Sequence, residues 1–336
     1  MYKVKIVTGN NLDYSYKRIT KNNDGISLDG RYQFFIDEEI DAPDFLVVRN
    51  RRFVRTPLHY KVARENTILA LSEPESILHF SPLYTRQFAT VVGCQPNIKH
   101  PHAVAAPAFL DWLIGAKGER KEYVSYKALK ESGFPKKTKL ISVITSNKVK
   151  TRGHMERIQF VRRLKERYGD RIDVYGRGIN DFDDRWDVLA PYKYHIAIEN
   201  CSEPYYWTEK ISECFLCGTF PIYHGCTNIG DYFPQGSFEG IDINNFDATC
   251  AILDKILAED RYEQSVHKLA EAKDLVLDKY NIIEMIAALC DTLNPNAPKE
   301  KITIMPEKRI LNTTQMLRET FLPPYYKARL ALFPKG

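Results

Sequence analysis

Long apolar runs are missing from this chain. No stretch approaches the roughly 18 uncharged apolar residues that a membrane-spanning helix needs, so none is expected. The opening, Met1 to Asn11, reads MYKVKIVTGNN. It has no apolar core of leader length and no small-residue cleavage site, so no secretory leader is expected either. Cysteine is sparse and odd in number, seven in 336 residues. Scattered thiols in a chain too long to need staples read as reduced, buried cysteines of a cytoplasmic protein. The sequon at Asn312 is then without consequence, because glycosylation requires secretion. Cys214 and Cys217 have no second ligand pair at zinc spacing, which favours packing on one helix face over a metal site. Gly176 and Gly178 do not complete a dinucleotide-binding fingerprint, and no Gly-x-Ser-x-Gly elbow occurs. Oxidoreductase and α/β-hydrolase readings lose support accordingly. Charge imbalance is small as well, a formal net +5. That suits a phosphate-bearing ligand or an anionic membrane surface. With no RNA or DNA motif beside it, no nucleic-acid partner is expected.

What is present is a globular composition, 44% hydrophobic and 27% charged, in a chain long enough for two domains. Short apolar runs suggest buried parallel strands at Tyr2–Thr8, Asp44–Val48, Thr67–Leu71 and Phe88–Gly93, with unclear helices between them. A charged stretch, Ala116–Lys139, reads as a connection with room for a helix. Beyond it the alternation is cleaner. Strands are predicted at Lys139–Thr145, Arg171–Tyr175, His195–Ile198 and Thr219–Tyr223. Helices are predicted at Glu156–Tyr168, Thr208–Cys217 (stopped by Gly218), Ala248–Ala258 and Glu263–Asp278. The pattern is that of a doubly wound α/β sheet. After Asn294 the sequence turns Pro-rich and basic, with Phe321, Tyr325, Tyr326 and Phe333 among lysines and arginines. A terminal helix packing across the domains is the preferred reading of this tail, over peripheral contact with an anionic membrane.

The most informative stretch is His195 to Lys210, HIAIENCSEPYYWTEK. A buried strand ends at Ile198, two polar residues follow, and a short loop leads to Thr208-Glu209-Lys210 at a helix start. Ligands of open α/β sheets bind beyond the carboxyl ends of strands. Helix N-termini offer free N–H groups and a positive dipole end to phosphate. A lysine is disfavoured there unless an anion is near. Glu209 is a carboxylate able to accept hydrogen bonds from two ribose hydroxyls. The bland reading takes Thr208 as an N-cap, Glu209 as dipole compensation and Lys210 as solvated. The combination after a buried strand favours a nucleotide-diphosphate site.

This segment resembles the donor motif of the α-1,3-fucosyltransferases, glycosyltransferase family ten. The resemblance is carried by Tyr194, Glu199-Asn200, Tyr206 and Thr208-Glu209-Lys210. It continues through Gly218–Gly225, Phe233-Pro234, Ser237-Phe238 and residues 241–243. Upstream it includes 139–147 and 175–178, so that it covers roughly residues 139 to 290. The resemblance implies two Rossmann-like α/β domains facing a cleft, the GT-B arrangement. The N-terminal domain (1–120) would bind acceptor and 121–138 would link the two. The domain at 139–294 would bind donor, and 295–336 would form the tail. It implies GDP-fucose as donor, with Arg157, opening a helix, and Lys210 on the diphosphate. Asn200 and Tyr206 would lie near the phosphates and sugar, and Glu209 would hold the ribose. An oligosaccharide would be the acceptor, α-1,3 to N-acetylglucosamine, with inversion and no cofactor or metal. The segment between Asn147 and Arg157 departs from the family by its length and basic content.

An inverting transfer needs a base for the acceptor hydroxyl. Glu73-Pro74-Glu75 follows the predicted strand Thr67–Leu71, and the proline leaves an acid on a fixed loop. The resemblance points to Glu73 as base, with Glu75 as rival. His100 and His102 lie in an acceptor-like stretch but read first as surface histidines. Asp181, Asp183 and Asp184 imitate a metal-binding acidic motif and are read instead as a solvated turn. Two alternatives stay open: a transferase for another GDP-sugar, and a non-catalytic nucleotide-sugar or glycan binder on the same fold. The joint presence of Glu73, Arg157 and Lys210 favours the enzyme.

Overall fold

A computed structural model of the chain describes residues 1–8, 16–50, 56–115, 124–145 and 152–306. Among these residues the strands in chain order are β1 (Tyr2–Val7), β2 (Tyr32–Ile36), β3 (Phe45–Arg49), β4 (Leu58–Val62), β5 (Thr67–Leu71), β6 (Thr90–Gly93) and β7 (Ala103–Ala105). They continue as β8 (Lys139–Ile144), β9 (Ile172–Tyr175), β10 (Tyr192–Ile198), β11 (Phe220–His224), β12 (Glu239–Gly240) and β13 (Glu300–Ile304). The helices are α1 (Pro82–Thr85), α2 (Tyr126–Glu131), α3 (Arg152–Tyr168), α4 (Arg185–Leu189), α5 (Glu209–Leu216), α6 (Phe246–Ala258), α7 (Arg261–Asp278) and α8 (Ile282–Cys290).

The chain divides into two compact units. The first holds Met1–Asp111, Ser125–Lys127 and the described chain from Leu277 onward; the second holds most of what lies between. The predicted boundary at residue 294 therefore differs from the structure, in which the end of α7 and all of α8 join the first unit. The cause is local. Leu28 N–H donates to Glu284 of α8, and Asp291 just beyond α8 accepts from both the Arg31 guanidinium and the Tyr32 hydroxyl.

Each unit is built on one doubly wound sheet in which every strand runs parallel to its neighbours. The order is β2-β1-β3-β5-β6-β7 in the first and β9-β8-β10-β11-β12 in the second. Counted within each unit, both follow the same sequence: second strand, first, third, then outward. The crevice of such a sheet lies where the order reverses, between its first and third strands. In the second unit those strands are β8 and β10. β10 is buried from Tyr192 to Ile198 except at Lys193, and β8 is buried at Ile141, Ser142 and Val143, as the covered centre of a sheet requires.

The small antiparallel pair β4 and β13 belongs to the first unit and was not foreseen. Val62, Ile302 and Ile304 from this pair bury against Leu69, Leu71, Phe80, Tyr84 and Phe88. The described start of the tail is thus a strand, not a helix. Phe321, Tyr325, Tyr326, Phe333 and Asn312 lie outside the described residues, as do Asn147 and the basic segment after it. Among the described residues no helix is long and apolar enough to cross a membrane. None of the seven cysteines is in a disulfide; Cys214 and Cys217 are buried, and only Cys201 is partly exposed.

Candidate active site

The second unit carries a cavity of about 260 Å³ at the carboxyl ends of β8 and β10. Ile144 and Thr145 bring β8 to it, Ile198 and Asn200 bring β10, and α3, α4 and α5 supply His154, Arg157, Arg185 and Lys210. It sits at the switch point that the strand order defines.

Helix α3 begins at Arg152, four residues before the predicted start, so Arg157 lies in its second turn rather than at its opening. The approach that brings Arg157 in depends on Gly153. A Cβ there would meet the Asn200 carbonyl oxygen at 2.1 Å, so only glycine lets α3 press against the exit of β10. Arg157 Nη1 then donates to Asn200 Oδ1 at 3.0 Å. Asn200 Nδ2 in turn donates to the Tyr206 hydroxyl at 3.4 Å. Burial lowers the Arg157 guanidinium from its ordinary value, with Glu199 opposing; an arginine stays charged regardless.

Thr208 caps α5 as expected, its hydroxyl accepting from Lys210 N. The Lys210 ammonium is held by partners rather than freely solvated, its side chain 22% exposed. It lies 2.8 Å from Glu199 Oε2, 3.0 Å from Thr208 Oγ1 and 3.9 Å from Glu209 Oε1. Burial opposes its charge, yet Glu199 and Glu209 carry its pKa above the ordinary lysine value. Glu209 is also engaged, accepting from Arg185 Nη1 at 3.1 Å. Burial pushes the Glu209 carboxyl up, but Lys210 and Arg185 outweigh it and hold it at about 2. The same Arg185 nitrogen donates to Glu213 Oε2 at 2.9 Å, and Glu213 Oε1 accepts from the Leu113 and Ile114 N–H groups.

Arg157, Asn200 and Lys210, three of the five expected donor residues, line the cavity. Tyr206, 1% exposed, stands behind Asn200, and Glu209 stands behind Arg185 and Lys210. The arrangement alternates Arg157, Arg185 and Lys210 with Glu199, Glu209 and Glu213. His195 sits beneath, hydrogen-bonded to Ser142 at 2.8 Å. Burial, then Arg185, drives its pKa down to about 3, so it adds no charge.

Three of these residues escaped the sequence reading. In the sequence Glu199 is only a polar residue after the strand, and Arg185 and Glu213 belong to no motif. Arg185 had a readable signal in the acidic triplet before it. Asp184 is buried, not solvated as expected. It caps α4 through Trp186 N at 2.8 Å and accepts from Gly115 N at 3.0 Å, which starts the helix on Arg185. Asp181 accepts from Gly178 N at 2.9 Å. Among the described residues no group of three or more His, Cys, Asp or Glu is placed to hold a metal.

In the first unit Glu73 lies two residues beyond β5, after the strand as predicted, and its carbonyl accepts from Gln95 Nε2 at 2.8 Å. Glu75 pairs with His79 at 3.0 Å. His100 braces its own loop, donating from Nε2 to the Phe88 carbonyl at 3.2 Å and accepting the His102 N–H at Nδ1 at 3.1 Å.

Residues 134–303 match the family model for glycosyltransferase family 10 (fucosyltransferase), C-terminal part. The chain belongs to glycosyltransferase family 10. An 87-residue stretch is 34% identical to alpha-(1,3)-fucosyltransferase B of Drosophila melanogaster, covering 26% of this family 10 chain and 17% of that relative. Among solved structures, an alpha1,3-fucosyltransferase with GDP matches at 16% identity and a TM-score of 0.47, covering 84% of this chain and 92% of that one. The same figures hold for an alpha1,3-fucosyltransferase with GDP-fucose, except that 90% of that chain is covered.

Proposed function

We propose that this family 10 chain transfers L-fucose from GDP-β-L-fucose to a hydroxyl of a glycan acceptor, with inversion, and forms an α-1,3 link to N-acetylglucosamine. The observation that carries the reading is the convergence of Arg157, Lys210 and Asn200 on one cavity at the switch point of the second sheet. Two fixed cations at that point suit two linked phosphates. Glu209, kept ionised by Lys210 and Arg185, takes the ribose hydroxyls. Tyr206 holds the Asn200 amide toward the phosphates and sugar. As the bond from the anomeric carbon to the diphosphate oxygen breaks, Arg157, Lys210 and the first N–H groups of α5 stabilise the departing charge. Glu73 takes the acceptor proton as the new C–O bond forms. Because arginine and lysine supply the neutralisation, turnover continues in excess chelator.

The test is GDP release from GDP-fucose with an N-acetyllactosamine-type acceptor, in wild type and Glu73→Ala. Acceptor-dependent release that the variant loses while it still binds GDP-fucose supports the reading. Near-normal turnover in the variant moves the base elsewhere, faster turnover of another GDP-sugar replaces the donor, and tight binding without turnover makes the chain a binder.

A further inference from the structure

We propose that Glu199 is a positioning residue of the donor site, whose buried carboxylate sets where the Lys210 ammonium stands. The proposal rests on the reading of Lys210 as a diphosphate ligand and adds what holds it.

The carboxylate is 1% exposed, and all its contacts point one way. Oε1 accepts from Thr208 N at 2.8 Å and from Thr208 Oγ1 at 2.9 Å; Oε2 accepts from Lys210 Nζ at 2.8 Å. One side chain at the exit of β10 thus grips both the cap of α5 and the cation in its first turn. Its own place is fixed from behind. Glu199 N donates to the His224 carbonyl at 2.8 Å, and Gly225 lies so close that a Cβ would meet Glu199 Cγ at 2.4 Å and the Tyr223 hydroxyl at 2.5 Å. The carboxylate is therefore wedged between the exits of β10 and β11 and cannot follow Lys210 if the lysine moves. A lysine on its flexible stem, left alone, would spread over many rotamers. Tied to a fixed acid, its ammonium lines the cavity before any ligand arrives. Among the described residues, the other charged or titratable groups acting on this pair are Glu209, Arg185 and Arg157, with the Tyr223 hydroxyl and the Cys226 thiol.

The experiment has two arms. In the ligand-free protein, the Lys210 side chain is titrated by NMR, assigned by its loss in Lys210→Ala. Wild type is expected to titrate above the ordinary lysine value of 10.5, and Glu199→Gln to bring it down. In the second arm GDP-fucose binding is measured by calorimetry in wild type, Glu199→Gln, Lys210→Ala and the double variant. Glu199→Gln should weaken binding roughly tenfold when Lys210 is present and by less than about twofold when it is absent, as for groups in one network. An ordinary Lys210 titration in wild type overturns the proposal, and that arm holds even if Glu199→Gln does not fold. Equal losses with and without Lys210 also overturn it, since that pattern marks a purely structural acid. If wild type binds no GDP-fucose while Lys210 titrates as expected, the donor assignment fails and the hold of Glu199 on Lys210 stands.

Discussion

The two sheets follow the same winding rule but are dressed differently. In the second unit the crossovers are helices, α3 at 17 residues and α5 at 8, and they deliver charge to the switch point. Among the described residues of the first unit the segments between strands are mostly loops and short turns, with α1 only 4 residues long. The ends of its strands carry Arg49 hydrogen-bonded to Tyr16 and Ser72, and the Glu73 turn. A helix N-terminus can stabilise a diphosphate, whereas a loop can present an acid to varied partners. The shared topology places both sets of groups at the carboxyl ends of strands; the crossovers decide which chemistry each end can do.

The sharpest way to break this contrast is kinetic. Glu73→Gln should lower kcat by about 10³-fold, as loss of a general base does, with GDP-fucose affinity retained. Lys210→Ala should lower kcat/KM for GDP-fucose by about 10²-fold or more and weaken GDP binding as well. Steady-state kinetics with calorimetric GDP binding separate the two, and a Glu73 variant that loses GDP affinity would erase the division of labour.

The helical delivery of charge can be tested at Gly153. Its Cβ would strike the Asn200 carbonyl, a backbone atom that cannot turn aside. Gly153→Ala should cost about 1–3 kcal/mol as α3 backs away and should weaken GDP-fucose binding through displaced Arg157. A smaller effect is expected at Lys137. Its ammonium donates to the Ala190 carbonyl at 2.8 Å, the Cys217 carbonyl at 2.7 Å and Thr219 Oγ1 at 3.1 Å. It thereby satisfies the C-terminal caps of α4 and α5, the helices that bear Arg185 and Lys210. Lys137→Met should cost about 2 kcal/mol, read as faster amide exchange at those two helix ends with the first unit unchanged.

These differences also explain what the sequence disclosed. The strands β5 and β8 and the α5 cap were readable because buried parallel strands are unbroken apolar runs and caps are local. The helices between the first unit's strands were unclear because, among the described residues, only short ones lie there. β4 and β13 were missed because LHYKV and EKITI mix charged and apolar residues, and their pairing joins segments far apart in sequence. α8 was missed because a short, nearly all-apolar run carries no period to separate helix from strand. At the site, Lys210 and Arg157 were legible as charges beside a motif. Their partners were not, because Glu199, Arg185 and Glu213 meet only after β10, α4 and α5 pack.

The finest distinction lies between two buried groups, one in each unit, whose contributions to stability run in opposite directions with pH. In the second unit burial holds His195 at about 3, below its ordinary 6.5, so the unfolded chain binds more protons between those values. Its contribution to stability is present above pH 6.5 and is lost as pH falls toward 3. In the first unit burial lifts the Glu284 carboxyl from 4.5 to about 7, against the pull of the Leu28 N–H. There the folded chain binds more protons, so stability declines as pH rises through that window. Glu284→Gln keeps an oxygen for the Leu28 N–H and removes the charge. After allowance for its partial exposure, the substitution should stabilise the protein by about 1 kcal/mol at pH 7.5 and by almost nothing at pH 4.5. Chemical denaturation across that range, followed by a probe in α8, checks it. A variant whose stability changes equally at both pH values would show that Glu284 titrates as an ordinary surface acid and that the opposed pH responses do not exist.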